Sequence, residues 1–335
     1  MSRPAVSRRR LESVLKRFGR VRLVVVGDLV ADEFIYGQLD RVSREAPVLI
    51  LKYDSTQIMP GGAGNAASNA AALDAKVTVV GAVGQDSAGN RLRAALAEQT
   101  DVRHVVRARG FVTPVKTRIL AGGVHSAKQQ VVRIDRAGAQ VTAAMSRRIE
   151  RALVAALRKA DAVIVSDYGS GTITPDLWRR AVAAARLKRP PVVLVDSRYG
   201  LAGFTGLTAC TPNESEVEAL LGVTIDEDRT VLERAGRALL QRLKCRTVLV
   251  TRGSRGMALF EPNRATNHIP IVGSDEIADV TGAGDTVIAT FTLALASGAS
   301  FTEAAHLANH AGGLVVMKRG TATITRAELL ASIKR

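Results

Sequence analysis

The sequence DVTGAGDT, residues 279–286, is typical of a loop that leads into the N-terminus of a helix, with one carboxylate among small residues. Gly282, Ala283 and Gly284 have little or no side chain, so their backbone N–H groups can approach an anion closely. The helix predicted over Thr286–Ala296 adds the positive end of its dipole. Asp285 then lies where an anion is held and a proton has to be removed. This combination fits phosphoryl transfer to a hydroxyl group. Taken alone, the stretch fits equally well an Asp that caps a helix after a tight turn.

Apolar strand-like runs alternate with helical patterns along most of the chain. The runs lie at residues 22–27, 76–83, 162–166, 191–196 and 246–251. Such alternation predicts an α/β fold, a three-layer sandwich with a mainly parallel central sheet. Ligands bind beyond the carboxyl ends of the strands in sheets of this kind, so the loops that follow these runs are the expected site of function.

Two β-like segments interrupt the alternation, at about 33–54 and 111–135. The second contains the runs Val115–Leu120 and Gln129–Ile134, joined by the glycine-containing AGGVHSAK, which indicates a hairpin. No linker, repeat or low-complexity tract divides the chain. Residues 1–335 are therefore expected to form a single domain, with the two segments inserted in it as a small β-sheet lid.

The composition is that of an ordinary globular protein, with 335 residues, 47% hydrophobic and 23% charged. No apolar run reaches the roughly 18–20 residues that a membrane span requires. The start is basic but is not followed by the apolar core and cleavage site of a signal peptide. Two cysteines, Cys210 and Cys245, cannot build a disulfide framework. These features predict a cytoplasmic protein with no membrane partner.

The formal net charge of +16 favours three interpretations: nucleic-acid binding, anionic small substrates, or a merely Arg-rich composition. Aromatic residues make up only 4% of the chain, which is few for the stacking platforms of single-strand binders. In the basic N-terminal segment, Leu11, Val14, Leu15 and Phe18 recur at helical spacing. An amphipathic helix with a basic outer face is therefore expected there, and no nucleic-acid partner.

A second glycine-rich stretch, GGAGN at residues 61–65, precedes an Ala-rich helical pattern. Gly61 and Gly62 allow a ligand to lie against the backbone, and Asn65 offers both a donor and an acceptor. This set suits a polyol better than a phosphate, although a glycine-rich turn without a ligand remains an alternative. No Gly-Lys-Ser/Thr follows, so the stretch is not a Walker loop.

Two further stretches, TPNESE at 211–216 and TRGSRG at 251–256, follow apolar runs. In the first, Asn213 caps a helix whose first turn carries two carboxylates, which is a common structural arrangement. The second is a turn at a strand end that fits either the phosphates of a nucleotide or an ordinary hairpin.

Together these four stretches, in this order and spacing, resemble the ribokinase-like (PfkB) family of sugar kinases. The resemblance extends from about Arg22 to the C-terminus, and DVTGAGDT and GGAGN are its most specific parts. The chain is most similar to the kinase half of the bacterial heptose-7-phosphate kinase/nucleotidyltransferases, through stretches such as VVVGDLVADEFIYG, SDYGSG and LTACTPNESE. The sequence does not include the nucleotidyltransferase half.

The resemblance implies roles at the acceptor end of the site. Asp285 would be the general base that takes the proton of the attacking hydroxyl, and Gly282, Ala283 and Gly284 would form the anion hole. The sugar hydroxyls would be held by four residues: Asp32, Gly61, Gly62 and Asn65.

The resemblance also implies an ATP and Mg²⁺ site. Asn213 and Glu216 would act near the magnesium–triphosphate, with Glu216 reaching Mg²⁺ through water. The nucleotide site would be lined by Thr251, Gly253 and Gly256, with Asn309 near the adenine. Backbone oxygens around Asp279 and Thr281 match a loop that binds a monovalent cation such as K⁺ in many members.

The phosphate end of the substrate depends on basic residues of the lid segments. Lys116 and Arg118 occupy alternate positions of one strand, so two cations on one face are expected to meet a distal phosphate. A solvated basic face is the alternative. The chain departs from its relatives at Ser170, where they usually carry Lys, and at Asp196-Ser197-Arg198, where they usually read Asp-Pro-Lys. Arg198 keeps a cation there and is expected in the ATP site, although its fork differs from an ammonium group.

The expected activity is transfer of the γ-phosphoryl group of ATP to O1 of D-glycero-D-manno-heptose 7-phosphate. The alternative within the same family is a kinase for ribose, fructose or fructose 6-phosphate. A nucleic-acid-binding protein and a catalytically silent kinase fold are the alternatives from other classes, and the intact Asp285 argues against the second. A homodimer through the lid is expected, because exposed sheet edges tend to be covered by a partner.

Overall fold

The computed structural model describes residues 6–122, 128–273, 279–318 and 320–334. The strands of this part of the chain are β1 (Arg22–Gly27), β2 (Leu29–Val42), β3 (Leu49–Gly62), β4 (Lys76–Gly84), β5 (Val105–Ala108), β6 (Val115–Gly122), β7 (Gln129–Arg136), β8 (Ala162–Asp167), β9 (Val192–Ser197), β10 (Ala209–Cys210), β11 (Thr247–Thr251), β12 (Met257–Phe260) and β13 (Asn267–Ile269). The α-helices are α1 (Arg8–Leu15), α2 (Ala63–Ala72), α3 (Ser87–Ala97), α4 (Ala143–Leu157), α5 (Pro175–Ala185), α6 (Glu214–Leu221), α7 (Arg229–Leu243), α8 (Ala283–Ala296), α9 (Phe301–Val315) and α10 (Arg326–Lys334).

A nine-stranded sheet forms the centre of the described structure, in the order β13-β12-β11-β10-β9-β8-β1-β4-β5. Its strands are parallel except β12, which runs antiparallel to both of its neighbours. The inner strands are nearly continuous apolar runs: every residue of β8 is buried, and so is every residue of β1 after Arg22. Strands with this composition belong in a sheet that is covered on both faces.

Helices cover both faces of this sheet, which gives three layers. Leu23 and Val25 of β1 pack in one apolar cluster with α2, α8 and α9. Val24 and Val26 of the same strand point the other way and pack with α4, α5 and α7. The predicted three-layer α/β fold with a mainly parallel sheet is therefore confirmed.

A second, four-stranded sheet has the order β3-β2-β6-β7. It contains both predicted lid segments, but β2 and β3 together extend from Leu29 to Gly62, well beyond the predicted 33–54. The strands β6 and β7 pair antiparallel, as the predicted hairpin requires, while the turn residues 123–127 lie outside the described part of the chain. Because β3 runs directly into α2, the GGAGN stretch joins the second sheet to a helix that packs on the central sheet.

The helix that carries the predicted catalytic acid begins earlier than its sequence suggests. The prediction placed its start at Thr286, because the glycines before it are poor helix formers. In the structure α8 begins at Ala283, with Gly282 as its N-cap residue, so Asp285 belongs to the first turn. The carboxylate is therefore fixed by helical geometry rather than carried on a loop.

The basic N-terminal segment folds as predicted into an amphipathic helix that packs on the domain. Leu11, Val14 and Leu15 of α1 are buried, and so is Phe18 beyond it. Arg10 is engaged within the molecule: it donates to the Gly298 carbonyl at 2.7 Å and to Glu303 at 3.1 Å. None of the helices in the described residues has both the length and the apolar character needed to cross a bilayer.

Candidate active site

The carboxylate of Asp285 lies buried at the mouth of α8, with 6% of the residue exposed. Asn65 Nδ2 donates to one of its oxygens at 2.7 Å, and the hydroxyl of Tyr168 donates to the other at 3.2 Å. Burial raises the pKa of Asp285 to about 6, against the lowering effect of these two hydrogen bonds. A carboxyl group with a pKa in this range is ionised at neutral pH and is basic enough to accept a proton.

A ring of buried polar side chains holds Asn65 in place. Asn69 Nδ2 donates to Asn65 Oδ1 at 3.1 Å, and the Thr286 hydroxyl donates to Asn69 Oδ1 at 2.7 Å. An ionised carboxylate accepts only, so Asn65 must turn its NH₂ group toward Asp285 and its oxygen toward Asn69. Since Thr286 adjoins Asp285 on α8, the ring closes and every amide orientation in it is determined.

Two glycines are required by their contacts with these side chains. Gly282 has φ +78°, and a Cβ there would lie within 3.0 Å of the Asn65 amide. A Cβ on Gly61 would lie equally close to the Asp32 carboxylate. Any larger residue at either position would therefore displace a polar group of the site.

The predicted anion hole is only partly available. The Ala283 N–H already donates to the Val280 carbonyl at 3.2 Å, whereas the Gly284 N–H has no acceptor within the described residues. Nothing stands within 4 Å of where a Gly284 Cβ would be, so the backbone is open at that point. Gly284 is thus better placed than Ala283 to meet an anion at the helix N-terminus.

Asp32, predicted to hold sugar hydroxyls, forms a buried ion pair with Arg118. Arg118 Nη1 lies 2.7 Å from Asp32 Oδ1, and the two side chains are 11% and 7% exposed. The parallel pairing of β2 with β6 places Asp32 opposite Lys116 and Phe34 opposite Arg118. Arg118 orients the carboxylate of Asp32, so its charge is largely used within the protein.

The two lid cations lie in different surroundings, and their contact with one distal phosphate stays a prediction. Lys116 and Arg118 share a sheet face as predicted, but they line different cavities. Arg118 opens onto a cavity of about 1310 Å³ shared with Asp279 and Thr281, while Lys116 opens onto one of about 930 Å³ beside Tyr168.

The predicted nucleotide residues come together around one cleft. Thr251, Gly253, Gly256 and Asn309 line it together with Gly284, so the cleft reaches the mouth of α8. Its empty volume is about 640 Å³. The Asn309 amide donates to the Pro270 carbonyl at 2.7 Å, which fixes its side chain against the cleft wall.

Asn213 and Glu216 lie at the rim of this cleft rather than in its lining. They form a reciprocal capping box at the start of α6: the Glu216 N–H donates to Asn213 Oδ1, and the Asn213 N–H donates to Glu216 Oε2, both at 2.9 Å. The backbone of Asn213 also bridges to Thr251. Asn213 and Glu216 therefore have the helix-capping role that the sequence indicated, next to the nucleotide cleft.

Arg198, expected in the ATP site, is not among the residues that line the nucleotide cleft. Its guanidinium group stands 5.4 Å from the centre of the Tyr168 ring, and it lines the same cavity as Lys116. Its neighbour Asp196 lies at the end of β9. Burial, followed by the charges of Asp285 and Glu216, raises the pKa of Asp196 to about 8.

The side chain of Asp279 ties together two loops beside the catalytic helix. Its carboxylate accepts from the N–H groups of Thr281 and Gly320, each at 2.9 Å. These contacts fix the backbone around Thr281, where a cation loop was predicted. The preceding residues, 274–278, lie outside the described part of the chain, so the K⁺ site stays a prediction.

A comparison with known protein families identifies the family of the chain. Residues 21–328 match the model of the pfkB family carbohydrate kinases. The chain belongs to the pfkB family of carbohydrate kinases. It is thus a sugar kinase of the ATP-dependent PfkB type, a phosphotransferase that uses an alcohol group as acceptor, and its family implies ATP and a divalent metal ion.

Related pfkB proteins cover almost the whole chain. The bifunctional protein HldE of Trichlorobacter lovleyi is 38% identical over 333 residues, which is 98% of this chain and 66% of that protein. The bifunctional protein HldE of Caulobacter vibrioides is 39% identical over 323 residues, 94% of this chain and 64% of that protein. The chain thus spans slightly less than two thirds of the length of these relatives.

Solved structures share the pfkB fold. A ribokinase of Arabidopsis thaliana, complexed with ribose and ATP, superposes with a TM-score of 0.73 at 24% identity and covers 94% of this chain and 99% of its own. Phosphofructokinase-2 of Escherichia coli, in complex with potassium, gives 0.74 at 18% identity with the same coverage. At these identities the likeness is one of fold.

Three residues of this pfkB site were not predicted as site residues: Tyr168, Asn69 and Thr286. Tyr168 follows β8 in the SDYGSG stretch, and Asp28 fixes that stretch by accepting the N–H groups of Tyr168, Ser170 and Thr172 at 2.8–3.1 Å. The signal for Tyr168 was its place directly after a buried strand. Asn69 lies four residues after Asn65 on α2, a spacing that places both side chains on one helix face.

Proposed function

We propose that this pfkB kinase transfers the γ-phosphoryl group of ATP to O1 of D-glycero-D-manno-heptose 7-phosphate, giving the 1,7-bisphosphate, in the cytoplasm where ATP is available. The observation that carries the proposal is the place of Asp285. Its buried carboxylate lies at a helix mouth, between the nucleotide cleft and the polar groups of Asp32 and Asn65. The choice of sugar is supported by the sequence resemblance to heptose-7-phosphate kinases.

In the proposed reaction Asp285 accepts the proton of the acceptor hydroxyl while the oxygen attacks the γ-phosphorus. A P–O bond forms to the sugar, the bond to the β-phosphate oxygen breaks, and ADP leaves. Asn65 and Tyr168 donate to the carboxylate and hold its oxygens in place. The Gly284 N–H and the dipole of α8 stabilise the negative charge of the moving phosphoryl group.

Mg²⁺ fits the residues around Asp196 and Glu216. Within the described residues no cluster of three or more acidic, His or Cys side chains is arranged to hold a metal. Mg²⁺ in kinases needs only one or two carboxylates, since nucleotide phosphates and waters supply the other ligands. Burial and the charges of Asp285 and Glu216 raise the pKa of Asp196. A bound cation would lower this pKa again and favour the ionised carboxylate. We assign the ion to Glu216, through water, and to Asp196; when bound, it neutralises charge on the transferred phosphate.

The second sheet is proposed to act as a lid. It carries Asp32 and Lys116 on the face that meets the site, so a bound sugar would lie between the sheet and α8. Excluding water there would limit hydrolysis of ATP and strengthen the charge interactions inside.

A homodimer through this sheet is part of the proposal. Its outer face carries apolar side chains that are largely exposed, including Leu39 at 48%, Tyr53 at 69% and Ile134 at 55%. Exposed apolar faces of this kind commonly mark a protein interface. Sedimentation equilibrium is expected to give twice the chain mass, and a Leu39→Glu, Ile134→Glu variant is expected to be monomeric. A wild-type monomer at micromolar concentration would contradict the dimer.

Release of ADP with a panel of sugars tests the proposed substrate. The panel contains heptose 7-phosphate, ribose, fructose and fructose 6-phosphate, at equal concentration with ATP and Mg²⁺. The heptose phosphate is expected to give the highest kcat/KM, and phosphorus NMR is expected to place the new phosphate on O1. Clear turnover of another sugar, with none above background for heptose 7-phosphate, would favour the alternative kinase activity.

A further inference from the structure

One carboxylate ties the TRGSRG stretch to the helix beside it. We call this stretch the nucleotide turn and define it as residues 251–256. Arg252 Nε of the turn lies 2.6 Å from Oε1 of Glu214, the first residue of α6, and Arg255 pairs with the second oxygen of the same carboxylate. The side chains of Glu214 and Arg252 are only 13% and 7% exposed, so water screens their attraction weakly. Glu214 thus joins two segments that are 38 residues apart at Arg252.

The nucleotide turn is a part of the protein whose position matters to a bound nucleotide. Thr251, Gly253 and Gly256 all line the nucleotide cleft. The two glycines have φ of +55° and +77°, in the region that glycine enters without strain. Because glycine also leaves the backbone free to adopt other conformations, contacts from outside the turn are needed to select this one. The carboxylate of Glu214 supplies such a contact through the two arginines of the turn.

Glu214 also lies within the segment to which we assign the metal ion. Its neighbours Asn213 and Glu216 form the capping box at the start of α6. The backbone joins the same two segments, since the Thr251 N–H donates to the Pro212 carbonyl at 2.9 Å. A side-chain contact and a backbone contact therefore fix the nucleotide turn relative to the start of α6.

The contact between Glu214 and Arg252 has no substitute among the described residues. There, Glu214 is the only carboxylate within ion-pair distance of Arg252, whereas Arg255 keeps a second acceptor, the Asp226 carbonyl at 3.0 Å. A buried guanidinium group that loses its carboxylate has to reach water or another acceptor. Because Arg252 lies between Thr251 and Gly253, its displacement would move backbone that lines the cleft.

We propose that Glu214 is a positioning residue of the nucleotide site: it holds the nucleotide turn in the conformation that binds ATP. Glu214 is not among the residues that line the cleft, so it acts on the nucleotide through Arg252 and Arg255. The inference rests on the proposed binding of ATP in this cleft. It is independent of the sugar that accepts the phosphoryl group.

Calorimetry with the ATP analogue AMP-PNP and Mg²⁺ tests the inference without turnover. Glu214→Gln is nearly isosteric and removes the charge that holds both arginines. Its Kd for AMP-PNP is expected to rise about 5- to 20-fold, the equivalent of one or two hydrogen bonds to the ligand. The control is Asp176→Asn, which breaks a surface ion pair with Arg179 whose side chains are 70% and 69% exposed. Its Kd is expected to stay within about twofold of wild type.

A double variant separates positioning from a purely structural role. Glu214→Gln is expected to lower the urea midpoint, because Arg252 remains buried without its partner. Combining it with Arg252→Met removes both charges and is expected to restore at least about half of the lost midpoint. The Kd for AMP-PNP is expected to stay raised in the double variant, because the turn is still not held. Recovery of the Kd together with the midpoint would show that the ion pair only stabilises the fold, and would overturn the inference.

Steady-state kinetics locates the effect at one end of the site. With the sugar that gives the highest turnover in the panel, Glu214→Gln is expected to raise the KM for ATP about 5- to 20-fold and to leave the KM for the sugar within about twofold of wild type. The kcat at saturating ATP is expected to fall by less than about threefold. A fall in kcat with an unchanged KM for ATP would contradict a role in nucleotide binding.

The inference and the proposed function fail in different ways. A raised Kd for AMP-PNP in Glu214→Gln, with no phosphorylation of heptose 7-phosphate by wild type, would reject the proposed sugar and support the role of Glu214. Phosphorylation of heptose 7-phosphate with the same KM for ATP in wild type and Glu214→Gln would support the proposed function and reject the role of Glu214. Circular dichroism spectra matching wild type will show that the variants are folded.

Discussion

The nucleotide end and the acceptor end of this site are built in different ways. The nucleotide cleft is lined by glycines and apolar side chains, with Thr251 and Asn309 as its polar residues, so backbone forms much of its wall. The acceptor end consists of buried polar side chains that bond to one another, from Asp32–Arg118 to the ring of Asp285, Asn65, Asn69 and Thr286. A backbone-lined cleft tolerates side-chain changes, whereas each member of a closed polar network depends on the others.

The largest expected effect comes from the acceptor end, in Asp285→Asn. Removing the base is expected to lower kcat by about 10²–10⁴-fold, because the acceptor hydroxyl loses its proton acceptor. The nucleotide cleft is left intact, so the Kd for AMP-PNP is expected to stay within twofold of wild type. Stopped-flow or coupled ADP assays measure the first quantity and calorimetry the second. A variant that keeps a tenth of wild-type turnover would mean that another group takes the proton.

The second largest effect is expected on the unfolding free energy, in the variant Arg118→Met. The variant leaves the buried carboxylate of Asp32 without its partner, and breaking a buried pair in this way costs about 3–5 kcal/mol of unfolding free energy. Urea denaturation at pH 7 measures the loss. Arg136→Met, which removes an exposed cation from the neighbouring strand, is the control and is expected to change the unfolding free energy by less than about 0.5 kcal/mol. Equal stability of the two variants would show that the ion pair is not formed.

The pH dependence of stability gives a third test, in which the substitution is expected to raise the unfolding free energy rather than lower it. The folded-state pKa of Asp285, about 6, lies above the usual value of 3.8 for an aspartate, so the folded protein binds the proton more tightly than the unfolded chain. The carboxylate therefore destabilises the fold by an amount that grows as pH rises from about 4 to 6 and then stays constant, on the order of 3 kcal/mol. Asp285→Asn is expected to be more stable than wild type at pH 8 and equal to it at pH 4. Thermal denaturation across this range will show whether the difference closes on acidification.

Thr286→Val breaks the polar ring without touching the sugar or the nucleotide. Asn69 loses its donor, which costs about 1–3 kcal/mol of stability, and Asn65 is held less firmly against Asp285. Because the Asn65 hydrogen bond lowers the pKa of Asp285, the acid limb of the kcat/KM profile is expected to move to higher pH. Thr286→Ser keeps the hydroxyl and is expected to restore the wild-type profile. An unchanged acid limb in Thr286→Val would show that the ring does not govern the base.

The smallest effect is expected in the nucleotide cleft. Asn309→Ala removes one amide and its hydrogen bond to Pro270, so the KM for ATP is expected to rise about threefold to tenfold with little change in kcat at saturating ATP. Steady-state kinetics at several ATP concentrations measures both constants. A large fall in kcat in this variant would remove the distinction between the two ends of the site.

Much of the fold could be predicted because its signals are local. Apolar runs such as Arg22–Gly27, and the glycine stretches before α2 and α8, are visible within a few residues. The family resemblance of those two stretches placed Asn65 and Asp285 at the same end of the site, but it did not predict the hydrogen bond between them. The start of α8 was predicted three residues late, since glycine disfavours helix locally while packing of the helix in the core decides the outcome.

The partners of charged side chains could not be predicted in the same way. Arg118 pairs with Asp32 because β6 lies parallel to β2 in one register, and no local pattern specifies that register. Tyr168 reaches Asp285 because Asp28, far away in sequence, holds its loop. Contacts between distant segments of this kind decide which cation is neutralised and which remains available to a ligand.

A crystal structure of the Asp285→Asn variant with heptose 7-phosphate, AMP-PNP and Mg²⁺ would test the central claim most directly. The account predicts that O1 of the sugar lies within hydrogen-bond distance of the residue 285 side chain and in line with the γ-phosphorus. A sugar bound with O1 beyond the reach of residue 285, or with that side chain turned away from the cleft, would contradict it.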